Sequence, residues 1–506
     1  MLKVFRRLHI QQKKNGKLIS NYIYNTLYQV LLIVVPLITI PYISRILGVT
    51  NIGVFQYAQS VANYFVIIGA VGTTLYGQRE IAYLQDKPKE RSEAFWEIEI
   101  FRILTTIMCS IIYFLVFCTH GRYPDIYSIL IIEVIATAFD ISWFFMGMED
   151  FKLIIIRNVI IRLVSVVCVF LFVKKLEDLP IYTLCVVAPL IVGNFSLWFS
   201  LKKNLVKTGL CMKTLFHGIK ERIKPIFVLF IPQIAADVYL FLDKTMIGIF
   251  GSNIDQVGYY SQGQKIVQIF LRIVTSLGTV MLPTMSFKFS QGDQKGVVES
   301  VKKAFRFTYM LSFPLLFGLC AIAHRFVPMF FGVGYDPVIQ LMVIISPTLV
   351  IIATSNVIGK QYLLPTNQHS SYTISIIIGA GVNLILNVIL IHFWDAIGAS
   401  IATVAAEIAV TTTQCWYVRK QLPLKDCLGY GWRYALYGAL MYLIVRGVGL
   451  FLPLGKVWAL LVMAFVGVAV YGIEIIITRD PILRTLFSRI SIVNAQENIY
   501  VQAREK

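Results

Sequence analysis

Charge is scarce in this chain: 14% of its 506 residues are Asp, Glu, Lys or Arg, whereas 57% are hydrophobic. A water-soluble domain with that balance would lack the polar surface to cover itself, which excludes soluble enzymes and free nucleic-acid binders. Metal and disulfide frameworks are missing as well. The eight cysteines contain no CxxC, most lie in or beside apolar runs, and the six histidines fall singly, so no metal or other cofactor is expected. There is no GxxxxGK[ST] phosphate loop, no Asp-x-Asp pair and no triad in a loop. Long loops are lacking too, the longest being the basic stretch 201–223, and nothing between the apolar runs has room to fold as a catalytic domain. The chain is not expected to be an enzyme.

What it has is apolar runs near twenty residues long and a mean hydropathy of +0.72, the marks of an all-α polytopic membrane protein. Fourteen spans are read. The first seven are 20–44, 51–77, 97–118, 126–146, 154–173, 180–200 and 224–250. The others are 257–284, 303–325, 338–359, 370–391, 396–416, 430–452 and 457–477. The basic residues before the first run (Lys3, Arg6, Arg7, Lys13, Lys14, Lys17) imitate a signal peptide, but that run is too long and lacks an A-x-A site.

The net charge of +19 finds its explanation in topology. Of the 46 Lys and Arg residues, 31 fall in or at the edge of the loops on the side of the termini and six on the opposite side. The positive-inside rule then places both termini in the cytoplasm. The expected organisation is a basic cytoplasmic N-terminus (1–19), an N-lobe (20–200), a cytoplasmic linker (201–223), a C-lobe (224–420), two further spans (421–477) and a cytoplasmic tail (478–506). In the tail, Ile482, Leu483, Leu486, Phe487 and Ile490 recur at helical spacing, the pattern of a helix lying on the inner leaflet.

The two lobes show signs of duplication. Ile52-Gly53-Val54-Phe55-Gln56-Tyr57-Ala58-Gln59 aligns with Val257-Gly258-Tyr259-Tyr260-Ser261-Gln262-Gly263-Gln264 at a constant offset of 205, and Phe65 and Phe270 continue the register. These segments open spans 2 and 8, as two six-helix halves require, and internal repeats with a site between them characterise secondary transporters.

Intramembrane charge is the sharpest signal, because an ionised group at bilayer depth costs at least ~2.5–3.5 kcal/mol on insertion scales. Span 7 carries Asp237, Asp243 and Lys244, and span 8 carries Lys265 and Arg272. Counted at ~1.5 Å per residue from the short loop 251–256, Asp243 and Lys265 lie at matched depth, as do Asp237 and Arg272. A two-rung ladder of ion pairs is therefore expected, with Lys244 left over. Three cations against two acids make an electropositive pocket suited to an anionic substrate. In the first half, Glu133 and Asp140 on span 4 face Arg157 and Arg162 on span 5, either to pin helices together or to take part in coupling. Glu407 sits in the middle of span 12, and Arg102 near the inner end of span 3.

Local motifs add a family resemblance. Pro36-Leu-Ile-Thr-Ile-Pro41-Tyr-Ile-Ser-Arg45-Ile-Leu-Gly48, Ile52-Gly53 and Tyr76-Gly77-Gln78-Arg79-Glu80 resemble the opening of bacterial polysaccharide repeat-unit flippases. These belong to the multidrug/oligosaccharidyl-lipid/polysaccharide exporter superfamily. The second half agrees in Pro232, Leu242-Asp243-Lys244-Thr-Met246-Ile-Gly248, Val257-Gly258-Tyr259-Tyr260, Lys265 and Leu282-Pro283. Near span 12, Ile397-Gly398-Ala399-Ser400-Ile401-Ala402-Thr403 matches a small-residue helix start, with Asp395 standing where a glycine is customary.

The resemblance implies two six-helix lobes around a central cavity with two helices appended. It also implies alternating access, often ion-coupled, that moves an undecaprenyl-diphosphate-linked oligosaccharide from the inner to the outer leaflet. By motif position, Arg45, Arg79, Lys244 and Lys265 are candidate diphosphate or sugar contacts, and Arg102 and Arg272 join them by depth and charge. Glu133, Asp140, Asp237, Asp243 and Glu407 are candidates for ion coupling or charge pairing. The expected partners are the lipid-linked glycan, membrane lipids, a polysaccharide polymerase and glycosyltransferases, with the protein itself a monomer. The runner-up is a multidrug cation antiporter, which calls for an acid-dominated cavity. A polytopic glycosyltransferase or polymerase would need a long catalytic loop that the chain lacks.

Overall fold

A backbone crossing hydrocarbon has no water to bond to, and a helix satisfies its N–H and C=O groups internally. The computed structural model describes residues 2–209, 212–451, 455–478 and 480, and all its regular structure is helical, with no strand among the described residues. The expected leaflet helix at 482–490 lies outside the described residues.

Two compact units divide the chain, Met1–Ser261 and Gln262–Lys506. The first contains α1 (Leu2–Ala70), bent at Gly48 (φ 69°, ψ 174°), then α2 (Thr73–Tyr83) and α3 (Pro88–Tyr113), which runs on as a wider π-helical turn over Phe114–Cys118. It continues with α4 (Pro124–Thr137), the short α5 (Ser142–Gly147), α6 (Phe151–Phe172), α7 (Leu179–Leu201) and α8 (Met212–Phe250). α9 (Asp255–Ser290) begins in the first unit and ends in the second. The second unit holds α10 (Gln294–Phe330), α11 (Asp336–Ile345), α12 (Thr348–Ile358), α13 (His369–Val418), α14 (Leu424–Gly429), α15 (Gly431–Phe451) and α16 (Lys456–Ile477).

Fourteen crossings fit this set. Ten helical segments among the described residues are long and apolar enough to span a bilayer. Two of them contain a pair of crossings each, joined at the bends at Gly48 and Asp395, and the charged helices α8 and α9 supply the remaining two. Three expected spans are not continuous helices, span 10 (338–359) turning at Ser346 and Pro347 between α11 and α12. Span 2 (51–77) breaks at Val71 and Gly72, both at positive φ (42° and 69°), and span 4 (126–146) breaks between Thr137 and Ser142.

In the first unit, helices approach closely where a side chain is missing, the main device of packing in lipid. The Trp143 ring lies over Gly77, where a Cβ would stand 2.3 Å from Cε3, and Ile81 fills the space beside Gly147. Phe95 stacks on Trp143 (5.5 Å, 19°) and meets Phe144 edge-on (5.3 Å). These contacts fix α2, α3 and α5 as one block. In the second unit α10 is the central post, packed by α12, α15 and α16. Gly438 of α15 accepts the Phe317 ring, and Tyr471 of α16 donates to the Met310 carbonyl (2.9 Å).

Candidate functional site: a charged cavity at a broken helix

The break in span 4 exposes backbone groups that a continuous helix would have hidden. α4 stops at Thr137, and three carbonyls of the turn that follows each accept a side chain from another helix besides a backbone N–H of the turn. Asn194 Nδ2 donates to Ala136 O (2.8 Å), Arg102 Nε to Thr137 O (2.8 Å) and Trp198 Nε1 to Phe139 O (2.9 Å). Each such bond contributes about 0.5–1.5 kcal/mol to holding the turn against its neighbours. The next helix starts under the Asp140 carboxylate, whose Oδ1 accepts from the Ser142 N–H (3.1 Å). Asp140 also pairs with Arg157 Nη1 (3.4 Å), which donates in turn to Asn194 Oδ1 (2.7 Å).

Around this turn lies a cavity of about 300 Å³. Its wall includes Val66, Ile67 and Ala70 of α1, Gly72 and Thr74 at the start of α2, Arg102, Glu133, Thr137, Asp140, Asn194, and Phe230 and Asp237 of α8. Three carboxylates and one guanidinium line it. Arg102 is only 2% exposed and reaches Thr74 Oγ1 (3.3 Å) with the arm not engaged at Thr137. One Glu133 oxygen is buried without a hydrogen-bond partner. Glu99, one turn before Arg102 on α3, is fully buried, and neither of its oxygens meets a donor in hydrogen-bond geometry.

Of the expected pairs, Arg157 with Asp140 is formed, and Glu133 and Asp140 share the cavity even though the helix between them is broken. Arg162 is exposed on α6. Lys244, expected as the leftover cation, donates to Gln56 Oε1 (3.2 Å), and Asp243, 3% exposed, accepts a hydrogen bond from the Tyr260 hydroxyl. On α9, Lys265 is half-buried and Arg272 exposed; Glu407 is half-buried on α13. Arg45 and Arg79 are exposed, Arg79 with its guanidinium 5.7 Å from the Tyr76 ring centre.

Sequence reading missed Glu99, Asn194 and a second cluster at the end of the unit that bears the basic loops. There Arg222 of α8 donates through Nε to Glu97 Oε2 (2.6 Å) and through Nη1 to Glu80 Oε1 (2.7 Å) and Tyr76 OH (3.1 Å). Burial works against the charge on Arg222, but the bonds to Glu80, Glu97 and Tyr76 outweigh it and hold the guanidinium above its ordinary value. The available signal was Glu97 and Glu99 inside an otherwise apolar run, a run whose hydropathy averages them away.

A helical membrane bundle in which a broken span surrounds buried charges has the build of a secondary transporter. Known folds agree. The chain superposes on the lipid II flippase MurJ in its inward closed conformation with a TM-score of 0.73, at 16% identity over 92% of this chain and all of that one. An inward-facing multidrug resistance MATE family transporter gives 0.56, at 12% identity over 77% of this chain and 98% of that one.

Sequence comparison then gives the family. Residues 18–288 match the polysaccharide biosynthesis protein family, and the chain belongs to it. Among its relatives are a putative O-antigen transporter of Escherichia coli K12 (25% identical, 79% of this chain and 96% of that one) and a probable low-salt glycan biosynthesis flippase, Agl15, of Haloferax volcanii (23%, 66% and 69%). The flippase resemblance drawn from the motifs is borne out at the level of family and fold.

Proposed function

We propose that the protein is a flippase that moves undecaprenyl-diphosphate-linked oligosaccharide repeat units from the inner to the outer leaflet of a bacterial cytoplasmic membrane, for capsule, exopolysaccharide or O-antigen assembly. What supports this most is family membership over residues 18–288 together with relatives named as O-antigen transporters. In this reading both termini face the cytoplasm. The lobes 20–200 and 224–420 alternate access about a two-fold axis along the membrane normal, and the protein works as a monomer beside a polymerase and glycosyltransferases.

The charges divide the labour. Lys244, Lys265 and Arg272, with Arg45 and Arg79, are the diphosphate and sugar contacts, since cations in a low-dielectric setting form strong charge-assisted bonds to phosphate oxygens. The acid-rich cavity does not suit a diphosphate, and Glu133, Asp140 and Asp237, with the buried Glu99, are read as the carboxylates that take up a coupling cation. Asp243 and Glu407 join them as charge-pairing groups. Arg102, placed among the substrate contacts by depth, lines this cavity and braces its wall.

That same acid excess favours a second reading, export of an organic cation. Complementation separates the two. In a host lacking its repeat-unit flippase, the chain restores surface glycan under the first reading. Under the second it leaves glycan absent and raises resistance to cationic drugs in an efflux-deficient strain.

A further inference from the structure

We propose that Arg222, Glu80 and Glu97 form a releasable latch that closes the N-terminal cavity toward the end of the bundle bearing the basic loops. The latch opens when α8 parts from α2 and α3. Three helices place the cluster on the same side of the cavity. On α2, Glu80 lies ~9 Å beyond the lining residue Thr74; on α8, Arg222 lies ~12 Å before the lining residue Phe230; on α3, Glu97 lies ~7 Å before Arg102, at ~1.5 Å of rise per residue.

Between latch and cavity the α2–α8 seam is a close contact. Gly72 abuts Phe230 so closely that a Cβ on the glycine would stand 2.9 Å from the Phe230 Cβ, and Ile226 is 1% exposed. Further out, Gly218 brings the α8 backbone onto Glu97, where a Cβ would sit 2.0 Å from Oε1. A path into the cavity between α2 and α8 therefore has to part this seam.

The seam is built to part. Its ionic groups sit at the rim: the side chains of Arg222, Glu80 and Glu97 are 19%, 23% and 11% exposed, so water can replace each bond as it breaks. α2 is the fixed post, held to α5 by Trp143 over Gly77 and Ile81 beside Gly147. α8 is the moving part, a helix of 39 residues whose start is tied to α2 and α3 by this cluster.

The latch rests on the transport reading only in its export arm. The direct test replaces the eight native cysteines, adds Val66→Cys in the cavity wall, and measures labelling by a small charged methanethiosulfonate applied from each side of the membrane. Losing charge-assisted bonds in Arg222→Gln should speed labelling from the side of residues 84–87 about tenfold, with no change from the other side. Arg222→Lys, which keeps the charge but not the forked contact, should fall between. Joining Glu80→Cys to Arg222→Cys with a short bifunctional thiol reagent should slow labelling below the parent rate and stop glycan export, and reductant should restore both.

An unchanged rate in Arg222→Gln that elutes as a monodisperse peak overturns the latch. So does an equal rise from both sides, which reports general loosening, and so does undiminished export by the cross-linked protein. If the parent chain exports no glycan, the flippase reading fails, and the labelling rates still decide the latch.

Discussion

Gly53 and Gly258 meet in a reciprocal contact. A Cβ on Gly53 would stand 2.2 Å from the Ile254 carbonyl oxygen, and one on Gly258 would stand 2.4 Å from the Val49 carbonyl oxygen. Val49 precedes Gly53 by one helical turn, as Ile254 precedes Gly258, and all four keep the repeat offset of 205. The opening turns of the two copies thus touch, with each glycine making room for the other copy's backbone.

Overpacking at this contact should cost about 1–3 kcal/mol. Gly53→Ala or Gly258→Ala is expected to lower the detergent-solubilised melting temperature and the folded yield. Gly381→Ala, with nothing within 4 Å of the added methyl, should not. Equal melting temperatures in all three variants would contradict the close approach.

Arg102 holds the carbonyl end of α4 and stands among Glu99, Asp140 and Glu133. Removing a buried cation from such a set costs roughly 3–5 kcal/mol, so Arg102→Ala should accumulate poorly and melt early. Arg272→Ala, at an exposed position on α9, should keep wild-type protein level, within about 0.5 kcal/mol, and lose export. Normal folding by Arg102→Ala would remove the bracing role. Normal export by Arg272→Ala would remove that residue from the substrate site.

The carboxylates can be sorted in the same way. Asp140 is tied to Arg157 and the Ser142 N–H, so Asp140→Asn should cost about 1–3 kcal/mol of stability. Glu133 and Glu99 have buried oxygens without hydrogen-bond partners, so Glu133→Gln and Glu99→Gln should fold at normal yield while losing gradient-driven transport. Full transport in both amide variants would exclude them as carriers of the coupling ion.

The bend in α13 carries its own test. Asp395 sits at φ 47° and ψ −128°, where a side chain is strained and glycine is not. Asp395→Gly should raise stability by about 1 kcal/mol, seen as a higher melting temperature with transport unchanged. A fall would show that the contacts of the Asp395 side chain outweigh the strain.

These sites also show what could be read before the fold was known. Apolar runs were enough for an all-helical bundle of fourteen spans, because in lipid each helix satisfies its own backbone. The interruption between spans 20–44 and 51–77 and the glycine departure at Asp395 were legible as local chemistry. The break after Thr137 was not. Ala138-Phe139-Asp140-Ile141 contains neither glycine nor proline, and the turn is held by Arg102, Asn194 and Trp198 from distant parts of the chain. Glu99 was hidden for a related reason, since a membrane-length window averages one acid into its apolar neighbours. The latch joins residues far apart in sequence, Arg222 to Glu80 and Glu97, a pairing that no spacing rule predicts.

The central claim is translocation of a lipid-linked glycan, and reconstitution measures it most directly. The purified protein is placed in proteoliposomes carrying a fluorescent undecaprenyl-diphosphate oligosaccharide, and the fraction exposed in the outer leaflet is followed with a membrane-impermeant glycosidase or quencher. The account predicts protein-dependent movement of the glycan lipid between leaflets, accelerated by an imposed cation gradient and abolished by Lys265→Ala at normal protein content. Leaflet exchange no faster than in protein-free vesicles, with the protein shown to be folded, would contradict it.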